Sequence, residues 1–136
     1  MKNDVYKKAY KVVVRDFGYK RSDGVMQSVS VSAKSQHIAR YQLEKWTLPT
    51  VPHSKLFVFE TLADAEGFGG IASIVFECLV KNPRRAKFRV LSFDNLMEVE
   101  QFWKDKKNHK RPSVRIEYTP NGTLFVDAVK LTKQIV

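Results

Sequence analysis

Apolar residues recur along this chain in two rhythms: every second position over most of its length, and every third or fourth position in two short stretches. The run Tyr10-Lys11-Val12-Val13-Val14-Arg15 is β-branched and predicts a first strand, ended by the segment from Phe17 to Gly24 with its two glycines. Val25, Val29, Val31 and Ala33 then alternate with Ser28, Ser30 and Ser32, which predicts a half-buried strand with a serine side facing water. A third, shorter strand is expected over Ile38 to Leu43. Pro49 and Pro52 interrupt regular structure before Leu56-Phe57-Val58-Phe59, which is apolar at every position and therefore reads as a central strand buried on both faces. Ile74 to Val80, ended by Pro83, and Lys87 to Phe93 complete the middle strands.

The helical rhythm appears twice. Thr61 stands three residues before Asp64, a capping arrangement, and Leu62, Ala65 and Phe68 then share one face; Gly67, Gly69 and Gly70 keep this helix short. Asp94 or Asn95 caps a second helix in which Leu96, Val99 and Phe102 or Trp103 recur at helical spacing, with an end expected near Trp103. Lys104 to Arg111 lacks any apolar anchor and reads as a solvated loop or a frayed helix end. Val114 to Tyr118 and Thr123 to Lys130 flank Pro120-Asn121-Gly122, and Asn-Gly is a strong signal for a tight β-hairpin. The expected fold is α+β: a mostly antiparallel sheet with two short helices and a C-terminal β-hairpin, in one globular domain spanning 1–136.

Composition supports one core and points to a partner. With 136 residues, 43% of them apolar and 12% aromatic, the chain is long enough for a single domain. No apolar run approaches the roughly 18 residues needed to cross a bilayer, and no signal-like segment opens the chain, so a cytoplasmic protein without membrane contact is expected. Cys78 is the single cysteine; it lies within an apolar run and reads as a buried structural thiol. Lys and Arg number 24 against 14 Asp and Glu, a net charge of +10. Met1 to Lys45 contributes +6, Trp46 to Val80 contributes −3, and Lys81 to Val136 contributes +7. If the two basic portions meet in space they form one positive face, attractive to phosphates or to an acidic protein surface.

Catalytic and cofactor motifs are missing. Gly67-Phe68-Gly69-Gly70 lacks the frame of a phosphate-binding loop, and its glycines follow a helix instead of opening one. His37, His53 and His109 are far apart and one cysteine cannot complete a zinc set, so no metal or cofactor is expected. Glu98 and Glu100, two apart on a helix, point in different directions. What remains is basic residues interleaved with aromatics: Arg15, Lys20 and Arg21 around Phe17 and Tyr19; Arg84, Arg85, Lys87 and Arg89 around Phe88; Lys104, Lys106, Lys107, Lys110 and Arg111 after Phe102 and Trp103. Such sets can neutralise phosphates while a ring stacks on an unpaired base, or seat on an acidic protein. The candidate binding residues are Arg84, Arg85, Lys104, Lys106, Lys107, Lys110 and Arg111.

Several segments look like pieces of small phage- and prophage-encoded proteins of unassigned function. They are Tyr10-Lys11-Val12-Val13, Glu44-Lys45-Trp46-Thr47-Leu48-Pro49, Lys55 to Phe59 with Thr61-Leu62-Ala63-Asp64-Ala65, Glu77 to Pro83, Phe102-Trp103-Lys104 and Asn121 to Lys130. The order of a strand followed by Thr61-Leu62-Ala63-Asp64-Ala65 is also similar to part of the ADP-ribosyltransferase-like fold. That resemblance aligns Tyr10 to Arg15 with the first strand and Thr61 with a strand-end hydroxyl. Glu117, beside Tyr118, lacks the catalytic motif expected around the family's glutamate. The basic charge leads to the expectation of a non-enzymatic binding protein that docks through a basic face on an acidic protein or nucleic acid, and the resemblance to phage and prophage proteins implies a viral-type accessory role, such as modulating a host process or defence system. The alternative, implied by the second resemblance, is an NAD-using ADP-ribosyltransferase-like enzyme.

Overall fold

The computed structural model describes residues 3–15, 26–28, 39–68, 73–91 and 95–135. Among the described residues eleven strands and two helices follow one another as β1 (Tyr6–Arg15), β2 (Met26–Ser28), β3 (Arg40–Tyr41), β4 (Trp46–Thr47), β5 (Leu56–Phe59), α1 (Leu62–Phe68), β6 (Ile74–Lys81), β7 (Arg84–Arg85), β8 (Phe88–Val90), α2 (Leu96–Lys107), β9 (Ile116–Tyr118), β10 (Thr123–Val126) and β11 (Ala128–Gln134). All pairings between named strands are antiparallel, and the fold is α+β. The expected connection over Phe17 to Gly24, most of the strand over Val25 to Ala33, Ile38, Gly69, Gly70, Phe93 and Asp94 lie outside the described residues.

Nine strands form one sheet, whose main path runs β4-β11-β6-β1-β5-β10-β7, with β2 and β3 added beside β1. β10 and β11 lie on opposite sides of β1 in that order, yet only Asp127 separates them in the chain. They are two halves of one bent strand: the first pairs with β5, the second with β6, and β1 touches both of those partners. The pairings therefore run in a ring, and the sheet curls into a small barrel. At the bend the Asp127 carboxylate takes a hydrogen bond from Lys55 Nζ at 2.5 Å, just ahead of β5, and another from Asn82 Nδ2 at 2.8 Å, just past β6. Burial alone would push this carboxyl up, but the Lys55 and Asn82 hydrogen bonds, with the charges of Lys55 and Arg84, hold it below the usual carboxylate range.

Period-two alternation now has a physical meaning, because one set of side chains points into the ring and the other out. Ala9 and Val13, Leu56 and Val58, Phe76, Cys78 and Val80, Leu124 and Val126, and Val129 and Leu131 fill the interior together with Tyr41. Outside, α1 lays Leu62, Ala65 and Phe68 over Tyr10, Val12, Phe59 and Val75. The second helix packs Val99, Phe102 and Trp103 against Phe57 and Phe125, with the β8–β9 ribbon beside it. Trp103 and Phe125 meet edge to face at 5.0 Å.

Three elements depart from the sequence reading. The Asn121-Gly122 turn forms, with Gly122 at φ +77° and a Cβ there placed 2.7 Å from Asp64 Cγ, but its two arms pair with other strands: β9 with β8, and β10 with β5 and β7. Arg84 and Arg85, just past the Pro83 expected to end the strand, form a further edge strand, β7. Thr123 to Lys130 is not one straight strand, because Asp127 breaks it between two partners.

One interior position is a lysine. Lys11 is 7% exposed, sits 5.2 Å over the Tyr41 ring and donates from Nζ to the Phe57 carbonyl at 2.7 Å, beside the single residue pair that joins β1 to β5. Burial pushes its pKa from 10.5 down to about 8, and burial also pushes the Cys78 thiol from 9.0 up to about 12. That thiol is too buried and too weakly acidic to serve as a nucleophile at neutral pH.

Two stability measurements follow. Between the folded and ordinary values of Lys11 the unfolded chain holds a proton the folded one has shed, so stability rises as pH climbs past 8. Between the ordinary and folded values of Cys78 the reverse holds, so this contribution falls as pH climbs from 9 towards 12. Denaturant midpoints should therefore rise from pH 8 to 9, flatten to about 10.5 and then drop. Lys11→Met should remove the rise and Cys78→Ala the drop. Asp127→Ala should cost about 1–2 kcal/mol in urea unfolding, discounted for solvent access at the bend, and Lys55→Met less, since Asn82 remains.

Candidate basic surface

The second helix begins where Asn95 Oδ1 accepts the Glu98 amide at 3.2 Å, as its N-cap position predicts, but it does not end near Trp103. It continues to Lys107, and the polar run beyond Trp103 is anchored after all, by a carboxylate. Asp105 is 5% exposed and accepts the Ser113 amide at 2.9 Å, the Ser113 hydroxyl at 2.8 Å and Gln101 Nε2 at 2.7 Å, while its own carbonyl accepts the Lys110 amide. The Ser113 amide and hydroxyl, with Gln101 and the charge of Lys110, hold its carboxyl below the usual range against the push of burial. Sequence reading by hydrophobic periodicity could not see this anchor, because Asp105 counts as polar in any such pattern.

With the helix extended, the basic residues are sorted by its geometry. Lys104 and Lys107, three apart, share the face that carries Met97, and with Pro52 and His53 they line a shallow depression. Lys107 Nζ stands 3.3 Å from His53 Nε2. Lys106 lies on another flank, its ammonium 4.9 Å from the centre of the Phe125 ring. Arg84 pairs with Phe125 in the ladder, and its charge acts on Asp127 at the bend. Lys110 and Arg111 are exposed just beyond the helix C-terminus. Cations there also complement the helix dipole, so part of their placement is structural. Arg85 stands apart from the cluster: it pairs with Leu124 on the ladder's other face and its Nη2 lies 3.8 Å from Glu60 Oε1.

A second basic grouping escaped the sequence reading. β1, β6, β11 and β4 set two rows of outward side chains side by side: Lys8, Leu79, Lys130 and Trp46 in one, Tyr6, Lys81 and Ala128 in the other. The first and last basic portions of the chain therefore meet on this outer face, Lys8 coming from one and Lys81 and Lys130 from the other. Alternation within Tyr6-Lys7-Lys8-Ala9 and Val129-Lys130-Leu131 was the available signal, but it does not say which strands are neighbours. The basic-aromatic group around Phe17 and Tyr19 lies outside the described residues, as does His37.

Of the residues set against the ADP-ribosyltransferase-like fold, Tyr10 to Arg15 lie in β1, which pairs through Tyr10 with Phe59, two residues before Thr61. Thr61 caps α1, with the Asp64 amide 3.2 Å from its Oγ1 and its hydroxyl donating to the Asp64 carboxylate at 2.8 Å. Glu117 lies in the β8–β9 ribbon, ion-paired with Arg89. Among the described residues no three His, Cys, Asp or Glu side chains are grouped to hold a metal ion, and no helix is long and apolar enough to cross a membrane. No protein-family model, curated protein or solved structure matches the chain.

Asp105→Ala should loosen the end of the helix: hydrogen exchange at the Lys110 and Ser113 amides is expected to speed up while exchange in β6 stays unchanged. Equal exchange at all these amides would mean that Asp105 does not anchor the run.

Proposed function

We propose that this chain is a non-catalytic binding protein that docks through a basic surface on an acidic partner, nucleic acid or an acidic protein. The observation that carries the reading is the end of α2. There Lys104, Lys106, Lys107, Lys110 and Arg111 are all exposed, and among the described residues none reaches a carboxylate within ion-pair distance. Five such charges on a rigid helix end and its anchored extension attract a polyanion at long range and hold it without the entropy cost of ordering a loose loop. The resemblance to small phage and prophage proteins extends the reading to an accessory role, in which the partner belongs to a host process or defence system.

Reversing four charges, Lys104, Lys107, Lys110 and Arg111 to Glu, should abolish capture of the partner from native lysate. It should also flatten the dependence of binding on salt. Each lost phosphate contact removes about 0.7 to 0.9 from the slope of log K against log salt if the partner is nucleic acid. Nuclease treatment before capture separates the two partner classes. Unchanged capture and an unchanged slope would mean that these charges only solvate the helix.

A further inference from the structure

We propose that the outer face of the barrel formed by β1, β6, β11 and β4 is a stacking site for single-stranded nucleic acid, with Trp46 and Tyr6 as the stacking rings and Lys8, Lys81 and Lys130 as the phosphate contacts. This rests on the reading of the chain as a binder of acidic partners and names one, at a place separate from α2.

Among the described residues the two helices lie over Tyr10, Phe57, Phe59 and Phe125, and neither helix packs on these two rows. Tyr6 is 52% exposed and Trp46 37%, and their ring centres lie 6.0 Å apart at an interplanar angle of 51°. Two partly exposed rings held this close make a contiguous aromatic patch that a flat ligand can cover. Between the rings lie cations: Lys81 Nζ is 4.7 Å from the centre of Trp46 and 5.8 Å from that of Tyr6, and Lys130 Nζ is 5.6 Å from Trp46. Ala128, which lines up with Lys81 and Tyr6, is buried at 1% exposure, so the longer side chains of the face close over it. Neither row contains an acidic residue; the next row along holds Glu77 with Lys133 opposite it.

This combination of rings and lysines selects among polyanions. An acidic peptide would satisfy the lysines but has nothing to lay on the rings. A duplex offers phosphates, with its base faces already stacked. An unpaired strand offers both at once: its bases present π faces to Trp46 and Tyr6 while Lys81 and Lys130 swing from the rings to the phosphates. A surface cation–π contact is weak, so exchanging it for base stacking and an ion pair favours the bound state. From Lys8 to Trp46 the face spans three inter-strand steps of about 4.8 Å each, room for a short run of unstacked bases.

Titration of the protein with an oligothymidylate of roughly 12 nucleotides tests this. Binding should quench the emission of exposed Trp46, the other tryptophan, Trp103, being buried in the core at 2% exposure. Trp46→Ala should weaken binding roughly tenfold or more and abolish the quench, and Tyr6→Ala should weaken it several-fold. Lys81→Gln and Lys130→Gln should each lower the salt slope by about 0.7. Trp103 emission reports whether Trp46→Ala is folded, and if it is not, Tyr6→Ala and Lys81→Gln decide the matter. The same sequence annealed to its complement, or poly-glutamate, should compete poorly. Equal competition by either, no binding of the oligonucleotide, or affinity unchanged in the ring and lysine variants would each overturn the proposal. If the oligonucleotide binds but only the α2 charge reversals weaken it, this site is wrong and the basic-surface reading stands. If no polyanion binds at all, both fall.

Discussion

The bend at Asp127 is the constraint on which the architecture depends. A strand running from Thr123 to Gln134 changes partner there, from β5 to β6, and a single carboxylate bridges the entrance of the first and the exit of the second through Lys55 and Asn82. Asn82 adds to this junction by donating to Asp4, accepting the Val5 amide and giving its own amide to the Val5 carbonyl, so the beginning of β1 is held at the same point. Three strands are thereby gathered at one end of the barrel. A sheet closed in this way leaves fewer free edges and divides its side chains into an inside and an outside.

That division explains where chemistry can and cannot occur. Among the described residues the interior is largely apolar, with the Tyr41 hydroxyl and Lys11 as polar groups; the Lys11 ammonium occupies the seam where β1 and β5 share one residue pair, buried with Cys78 beside it. On the exterior, among the described residues, the two helices and the β8–β9 ribbon leave one end of the barrel without a helix over it. The first helix is short and covers one stretch of wall. The second is longer because Asp105 fastens its last turn to Ser113, which also gives the lysines of its C-terminal half fixed positions. The end without a helix over it collects lysines and rings from four strands that are distant in sequence.

Both basic groupings therefore arise from the same cause. Lysine stems pack along a folded surface while their heads stay in water, so lysines occupy whichever outward positions the core does not claim. On α2 those positions are set by helical spacing and lie close in sequence. On the barrel wall they are set by strand neighbours, and the cluster contains no run longer than a pair of basic residues. The two surfaces differ in kind as well: exposed rings accompany the lysines on the barrel wall, whereas Phe102 and Trp103 on the helix are turned into the core.

Local patterning by itself determined the elements that depend on short-range physics. Alternation marked β1, β5 and β6; the Thr61-Asp64 and Asn95 caps marked the starts of both helices; Asn121-Gly122 marked a tight turn. The α+β class and the position of Cys78 in the core followed from the same signals. Only the tertiary structure decided the partners. The arms of the Asn121-Gly122 turn pair elsewhere because β5, β7 and β8 compete for them, and Thr123 to Lys130 splits at Asp127, whose partners Lys55 and Asn82 flank two different strands. Lys104 to Arg111 is ordered by a polar contact, Asp105 to Ser113, that hydrophobic spacing does not register. Tyr6, Lys8, Trp46, Lys81 and Lys130 form one face only through the β1-β6-β11-β4 register, since strand pairing is a long-range choice made by the whole core, while capping and alternation are settled within a few residues.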